Sequence, residues 1–147
     1  MKGQARWFTP LLILIFILAG CSYTEQPATG EMPEMIRVKL MMPDQAKVNE
    51  EVALQIKLTQ GEKPVDDADH VQFQIWNEQN EPAAPSIEEG MMNADELEAR
   101  GAVKASSVGD GIYEVKHTFQ EPGVYVVQAH VTSGAMHTMP RTKVTVE

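Results

Sequence analysis

The sequence has 147 residues, a net charge of −9 and a single cysteine, Cys21. A chain this acidic repels nucleic acid and anionic lipid headgroups, so we expect no nucleic-acid partner. One cysteine excludes an intrachain disulfide and a metal site built from several thiolates. The length is sufficient for one domain with a substantial hydrophobic core and too short for two domains.

The first 21 residues have the pattern of an exported lipoprotein. Lys2 and Arg6 precede an apolar run from Leu11 to Leu18, and the small pair Ala19-Gly20 then leads into Cys21. This is the order of a secretory signal, and the run is shorter than the roughly 20 apolar residues of a spanning helix. We therefore expect residues 1–20 to be a signal peptide and Cys21 to carry acyl chains such as palmitate, which anchor the protein at the extracytoplasmic face of the cell membrane. The alternative, an uncleaved membrane anchor, leaves the rest of the chain on the same side.

Residues 21–34 are rich in Pro, Glu, Thr and Gly, which predicts a flexible tether.

Removal of the signal peptide removes two cations and no acidic residue, so the mature chain carries 10 Lys and Arg against 21 Asp and Glu. Eight methionines remain after Met1 is removed. A buried methionine fills gaps in a core, whereas an exposed thioether is a soft ligand suited to Cu(I).

Residues 35–147 show period-two alternation of apolar and polar side chains, which predicts an all-β domain. The expected strands lie near residues 36–42, 52–59, 70–76, 102–106, 112–119, 125–131 and 135–147. The pattern fails from Asn77 to Arg100, where we expect a long connection with at most a short helical turn. About seven short strands separated by turns predict an immunoglobulin-like β-sandwich. Tyr125, near the start of its strand, is placed for a tyrosine corner.

The final hairpin carries the candidate metal ligands. A two-residue turn at Ser133-Gly134 would set His130 directly opposite His137, with Met139 on the same face two residues further on. The inward residues of that strand leave His130 on the outer face, so the two imidazoles and the thioether are expected to project together toward solvent. This donor set suits copper. A three-residue loop would instead put the two histidines on opposite faces.

Other residues are weaker candidates. Met91 and Met92 lie in the long connection with nothing apolar nearby to explain them, and His70 borders the same predicted surface. The acidic group Asp66, Asp67 and Asp69 lacks the spacing of an EF-hand loop and is expected to be a solvated turn. No nucleophile and base pair, phosphate-binding loop or rigid carboxylate pair is evident, so we do not expect an enzyme.

Several C-terminal motifs carry a family resemblance. They are Gly109-Asp110-Gly111-Ile112-Tyr113, Phe119, the run from Pro122 to Val131 and the run from Met136 to Pro140. With these residues, the segment from Val71 to Val146 resembles the YtkA-like, FixH-related family of small exported or membrane-anchored bacterial domains. Where this chain has Ala105-Ser106-Ser107, the family often has a histidine, and Met91 and Met92 are candidates to replace it.

The resemblance implies an immunoglobulin-like lipoprotein of Bacillus-type bacteria that delivers copper during the assembly of haem-copper oxidases. It implies that His130, His137 and Met139 hold the metal. It also implies a cytochrome oxidase subunit or another copper carrier as partner. Two other hypotheses stay open: a metal-free immunoglobulin-like interaction module of the cell envelope, which docks through the face bearing Trp76, and an envelope stress sensor or transport accessory.

Overall fold

The computed structural model describes residues 34–83 and 93–147, which belong to one compact unit. The strands are β1 (Ile36–Met41), β2 (Gln45–Ala46), β3 (Glu51–Gln60), β4 (Lys63–Pro64), β5 (His70–Asn77), β6 (Val103–Lys104), β7 (Ser106–Gly109), β8 (Ile112–Thr118), β9 (Gly123–Ser133), β10 (Met136–Thr138) and β11 (Arg141–Val146). A 3-10 segment, Glu78–Ala83, and one helix, α1 (Ala94–Ala99), lie between β5 and β6. Within these ranges no helix is long and apolar enough to cross a bilayer.

The strands form two sheets that pack as a sandwich. The first sheet has the order β1-β3-β8-β7, with β4 also paired to β3, and the second has the order β2-β11-β9-β5-β6, with β10 also paired to β9. Every strand pair is antiparallel except β2 with β11. The predicted immunoglobulin-like, all-β fold is confirmed. Seven strands in the described ranges have four or more residues, in line with the number expected from the alternation.

The core lies between the sheets and is built by the alternating residues. From the first sheet, Leu54, Ile56 and Leu58 of β3 are fully buried, and from the second, Phe73 of β5 and Val127 of β9 are fully buried against them. Each such side chain contributes about 1.5–3 kcal/mol of burial free energy, so these contacts hold the two sheets together.

The predicted tyrosine corner is confirmed. The Tyr125 hydroxyl donates a hydrogen bond to the carbonyl oxygen of Glu121 at 3.1 Å, just upstream of β9. The Tyr125 ring also packs on Phe119, with ring centroids 4.7 Å apart. This contact ties the turn at Pro122-Gly123 to the strand that carries His130.

Strand β9 differs from the prediction because it is buried on both faces from Val126 to Val131. Helix α1 lies over the outer face of the second sheet, where the Gln72 side-chain amide donates to the carbonyl oxygen of Ala94 and to the Glu98 carboxylate, both at 2.9 Å. Leu97 of this helix is 2% exposed but does not belong to the core between the sheets. Leu97 is therefore buried against the outer face of the second sheet, which the sequence pattern predicted to be exposed to solvent.

A capping box explains why so short a helix forms at this point. The Asn93 side chain accepts a hydrogen bond from the Glu96 backbone N–H, and the Glu96 carboxylate accepts one from the Asn93 backbone N–H. These bonds satisfy backbone donors that a helix start leaves without partners.

Candidate metal centre

The closing hairpin turns at Gly134-Ala135, one residue later than predicted. Met136 pairs with Ser133, and His137 pairs with Thr132. The prediction that His130 lies directly opposite His137 is therefore wrong. Gly134 has a φ of 57°, the left-handed conformation that a residue without Cβ adopts at little cost. Because the turn still contains two residues, His130 and His137 stay on one face, as predicted.

A carboxylate from a distant part of the chain holds this turn. The Gly134 backbone N–H donates to the Asp69 carboxylate at 2.7 Å. Asp66 of the same acidic group accepts a bond from the Gly111 backbone N–H, also at 2.7 Å. Two of the three clustered aspartates thus fix turns.

We expect Asp69→Ala to loosen the hairpin turn and to lower the free energy of unfolding by about 1 kcal/mol, since a hydrogen bond to a charged acceptor is lost at an exposed site. Amide hydrogen exchange at Gly134 should become faster. Asp67→Ala is the matched control because it removes a neighbouring carboxylate and leaves the Asp69 bond in place. Unchanged exchange at Gly134 in Asp69→Ala would show that the turn holds without this contact.

The outer face of the second sheet carries side chains in rows across β5, β9 and the final strands. Three of these rows are His70–Thr132–His137, Gln72–His130–Met139 and Gln74–Gln128–Arg141. Met139 falls between the paired segments, where Thr138 faces Val131 and Arg141 faces Gln128, so the register places it across from His130. The Ala129 backbone N–H donates to the Pro140 carbonyl oxygen at 2.9 Å, which fixes the adjoining pair. Met139 therefore lies across from His130, the position that the prediction assigned to His137.

The two histidines differ in exposure. His137 is exposed, Met139 is half-buried and His130 is only 2% exposed. The expectation that His130 faces solvent is wrong, since β9 is buried on both faces at this point and α1 is hydrogen-bonded to Gln72, the cross-strand neighbour of His130. The His130 and His137 rings are nevertheless neighbours, with centroids 6.2 Å apart.

The hydrogen bonds of His130 define its tautomer. Its Nε2 lies 2.6 Å from the side-chain oxygen of Gln74. An amide oxygen only accepts, so Nε2 must carry the proton and Nδ1 must hold a lone pair. The Gln128 side-chain nitrogen is 3.4 Å from the same Nε2, but in this tautomer both nitrogens are donors, so the contact is not a hydrogen bond. In the described part of the chain, the buried Nδ1 has no hydrogen-bond partner.

The electrostatics of the site keep this ring neutral. Burial lowers the pKa of His130 to about 4, and the nearby His137 adds to that decrease. At neutral pH the imidazole therefore carries one proton, on Nε2. A neutral imidazole whose one N–H is held by an oxygen acceptor, with the lone pair of the other nitrogen available, is the state in which histidine ligates a metal.

His137 and His70 belong to the row of side chains next to that of His130. His137 Nδ1 is 2.9 Å from the Thr132 hydroxyl, which orients the ring. His70 is exposed and lies in the same row, with Thr132 between it and His137. His117 lies elsewhere: its ring packs on Phe119 in an edge-to-face arrangement with the ring centroids 4.6 Å apart, and burial lowers its pKa.

The structure thus brings His130, His137 and Met139 to one place, and as ligands they stay predictions. Met91 and Met92 lie outside the described residues. Among those that are described, no group of three or more His, Cys, Asp or Glu side chains is arranged to hold a metal. A metal here would depend on the imidazoles together with methionine sulfur. The donors present fit a soft ion, because a thioether is a soft ligand and imidazole nitrogen suits copper.

Sequence reasoning missed the glutamines around His130. Gln72 and Gln128 are buried with it, at 2% and 8% exposure, and Gln74 is its hydrogen-bond acceptor. A signal was available, since β9 reads as an almost unbroken apolar run, which is typical of a strand covered on both faces.

Comparison with known proteins bears on the first half of the domain. Residues 30–96 match the model of the YtkA-like family. The chain carries a YtkA-like segment. It runs from before β1 to within α1, whereas the resemblance noted in the sequence was placed on Val71 to Val146. The two overlap only over residues 71–96, so the hairpin with His130, His137 and Met139 lies outside the YtkA-like segment.

Solved structures are similar to this chain in fold. An endo-β-1,4-mannanase from Thermotoga petrophila matches with a TM-score of 0.50 and 10% identity, over 81% of this chain and 21% of the mannanase, so this chain spans about a fifth of that enzyme. A T24K superoxide reductase (neelaredoxin) from Ignicoccus hospitalis matches with a TM-score of 0.41 and 11% identity, over 75% of this chain and 79% of the other. The PKD domain of an M14-like peptidase from Thermoplasmatales archaeon SCGC AB-540-F20 has a TM-score of 0.34 and 13% identity, over 78% and 94%. No curated protein matches the chain. At 10% identity the likeness to the mannanase concerns the fold and not the activity.

Proposed function

We propose that this protein is a non-catalytic, lipid-anchored copper carrier at the extracytoplasmic face of the membrane, which delivers copper during the assembly of a haem-copper oxidase. The single observation that carries the proposal is the buried, unprotonated and unpartnered Nδ1 of His130. A buried polar atom without a partner costs about 1–3 kcal/mol, so its presence needs a reason. A metal ion bound at this nitrogen supplies one.

The neighbours of His130 support a shared ion. Imidazole nitrogens bind metals at about 2 Å, so two rings on one ion have centroids roughly 5–6 Å apart. The 6.2 Å between the rings of His130 and His137 is slightly longer than this span. Met139, the cross-strand neighbour of His130, offers a thioether as third donor. Copper is the metal that this mixture of soft and intermediate donors favours.

The exposure gradient supports delivery. One ligand is buried, one is half-buried and one, His137, is open to solvent. An acceptor can approach the open ligand first and take the ion by stepwise ligand exchange. The YtkA-like segment is consistent with an envelope protein concerned with copper. In this proposal Cys21 holds the domain at the membrane, and the acceptor is a cytochrome oxidase subunit or another copper carrier.

The test is a Cu(I) competition titration against a chromogenic chelator, with a parallel calorimetric titration of Cu(II). We expect one Cu(I) per wild-type chain and a loss of at least about 100-fold in affinity for the combined variant His130→Gln, His137→Gln and Met139→Leu. A matched control is His117→Gln with Met42→Leu, which changes the same residue types away from the hairpin. Equal copper uptake by wild type and the combined variant would overturn the proposal and favour a metal-free interaction module.

A further inference from the structure

The outer face of the first sheet carries three cations side by side. On β1, Arg37 and Lys39 are two residues apart and lie on the same face, and Lys39 pairs directly with Lys57 of β3. Val38, between the first two, packs against the core, so the three cations are on the side away from the core. Arg37 and Lys39 are exposed and Lys57 is half-buried. We call these three residues the first-sheet patch.

The charges of the first-sheet patch are not balanced within the domain. Like charges directly opposite each other on paired strands destabilise a sheet. In residues 34–83 and 93–147, no carboxylate forms an ion pair with any of the three cations. Glu34 lies on the same surface as Arg37 without such a pair, whereas Lys116, elsewhere on this face, pairs with Glu51 at 3.6 Å. The patch therefore presents positive charge to its surroundings.

Protection of an edge strand explains only part of this arrangement. β1 is an edge of the first sheet, and charged residues on an edge discourage pairing with another chain. Lys57 has no such role, because β3 lies between β1 and β8. Its charge adds to that of Lys39 on the broad face of the sheet. A local rule that a fold breaks without a gain in stability is expected at a functional position.

The place of the first-sheet patch in the chain favours an anionic bilayer as the surface that it contacts. β1 is the first described strand after Cys21, the residue expected to carry acyl chains, and begins 15 positions after it. Met35, directly before β1, is 77% exposed, and an exposed apolar side chain beside cations suits a membrane surface. Lysine and arginine side chains near anionic headgroups are attracted to them.

The overall charge of the protein determines how this attraction acts. Anionic lipid repels a free domain with twice as many acidic as basic residues. A lipid anchor prevents the domain from leaving the membrane, so the uneven distribution of its charge acts on its orientation. The positive face then turns toward the lipid and the acidic remainder turns away from it.

We propose that the first-sheet patch docks on the anionic surface of the bilayer and orients the anchored domain. This inference rests on the lipid anchor of the proposed function and adds the orientation. In a sandwich docked through its first sheet, the outer face of the second sheet, which carries His137, points away from the bilayer.

The test measures which face of the tethered domain is nearer to the lipid. The mature chain, residues 21–147, is coupled through its only cysteine, Cys21, to a maleimide lipid in nanodiscs that also contain a gadolinium-chelate lipid. In discs with about 30 mol% phosphatidylglycerol, the amides of β1 and β3 should relax at least about threefold faster than those of β5 and β9. In phosphatidylcholine discs, or at about 1 M salt, where the Debye length is about 3 Å, this ratio should approach one.

The variant that removes the first-sheet patch combines Arg37→Gln, Lys39→Gln and Lys57→Gln. We expect its relaxation ratio in anionic discs to decrease to the value in neutral discs. The substitutions relieve the repulsion between two opposed lysines, so the fold should persist, and urea denaturation checks this.

The matched control combines Lys104→Gln, Arg141→Gln and Lys143→Gln. It removes one arginine and two lysines from the outer face of the second sheet, so its net charge equals that of the patch variant. Its relaxation ratio in anionic discs should stay at the wild-type value. A decrease as large as that of the patch variant would show that net charge, and not the patch, sets the orientation.

Two further results would overturn the proposal. One is an equal ratio for wild type and the patch variant in anionic discs. The other is a wild-type ratio near one on the bilayer together with chemical-shift changes in β1 and β3 when polyglutamate is added, which would assign the patch to an acidic protein partner. Copper titration of the patch variant should match wild type, so a failure of the copper site and a failure of docking appear in separate measurements.

Discussion

The metal-free protein should lose about 3 kcal/mol of unfolding free energy between pH 7 and pH 4 through His130 alone. An unfolded chain gives this histidine an ordinary pKa near 6.5, whereas burial lowers it to about 4 in the folded protein. Well above pH 6.5 the ring is neutral in both states and contributes no pH dependence. Between these two values the unfolded state binds more protons, so stability decreases as the pH decreases, and the loss levels off once the pH is well below 4.

Urea denaturation of the apoprotein at intervals from pH 7.5 to pH 4 measures this effect. His130→Gln removes the titrating ring and should flatten that part of the profile, whatever its own stability at pH 7. His117→Gln is the matched control, because burial also lowers the pKa of His117 but the ring is only half-buried. Parallel profiles for wild type and His130→Gln would contradict the conclusion that this ring is kept neutral.

Gln74→Leu should weaken copper binding by roughly 10- to 100-fold, the usual cost of removing the partner of a ligating histidine. The Gln74 oxygen accepts the Nε2 proton of His130 at 2.6 Å and so keeps Nδ1 free. With leucine at position 74 the proton is no longer held on Nε2, and the other tautomer blocks the ligating nitrogen. Gln74→Glu keeps an oxygen acceptor and should retain binding.

Two measurements separate this positioning role from a general structural effect. Cu(I) competition gives the affinity, and the ¹⁵N chemical shifts of the His130 ring report which nitrogen is protonated. Gln128→Leu is the control, since its amide lies 3.4 Å from the same nitrogen and should matter less. A tautomer that does not change in Gln74→Leu would show that Gln74 does not set the protonation of His130.

The sandwich was predictable because its causes are local. Alternating residues such as Leu54, Ile56 and Leu58 specify strands with one buried face, and the strand that carries Phe73 does the same in the other sheet. The motif Gly109-Asp110-Gly111 predicts a turn, and in the structure Asp110 and both glycines adopt positive φ there. The tyrosine corner follows from one aromatic residue near a strand start.

The details of the site were not predictable because their causes are distant in the sequence. Ser133-Gly134 and Gly134-Ala135 are both reasonable turns, and the bond from Gly134 to Asp69 favours the second. His130 is buried beside Gln72 of β5, and the bonds from Gln72 to α1 join parts of the chain far apart in sequence. Alternation shows which face a side chain is on, but it does not show whether another element covers that face.

The start of the described domain has a consequence for where the proposed carrier would meet an acceptor. Met35, directly before β1, follows Cys21 by 14 positions in the sequence. Fourteen residues span at most about 50 Å when fully stretched. With the proposed acyl chains on Cys21, the start of β1 would stay within about 50 Å of the bilayer surface. An integral membrane complex could then be reached by lateral diffusion in two dimensions, without release of the carrier or of the ion into the surrounding medium.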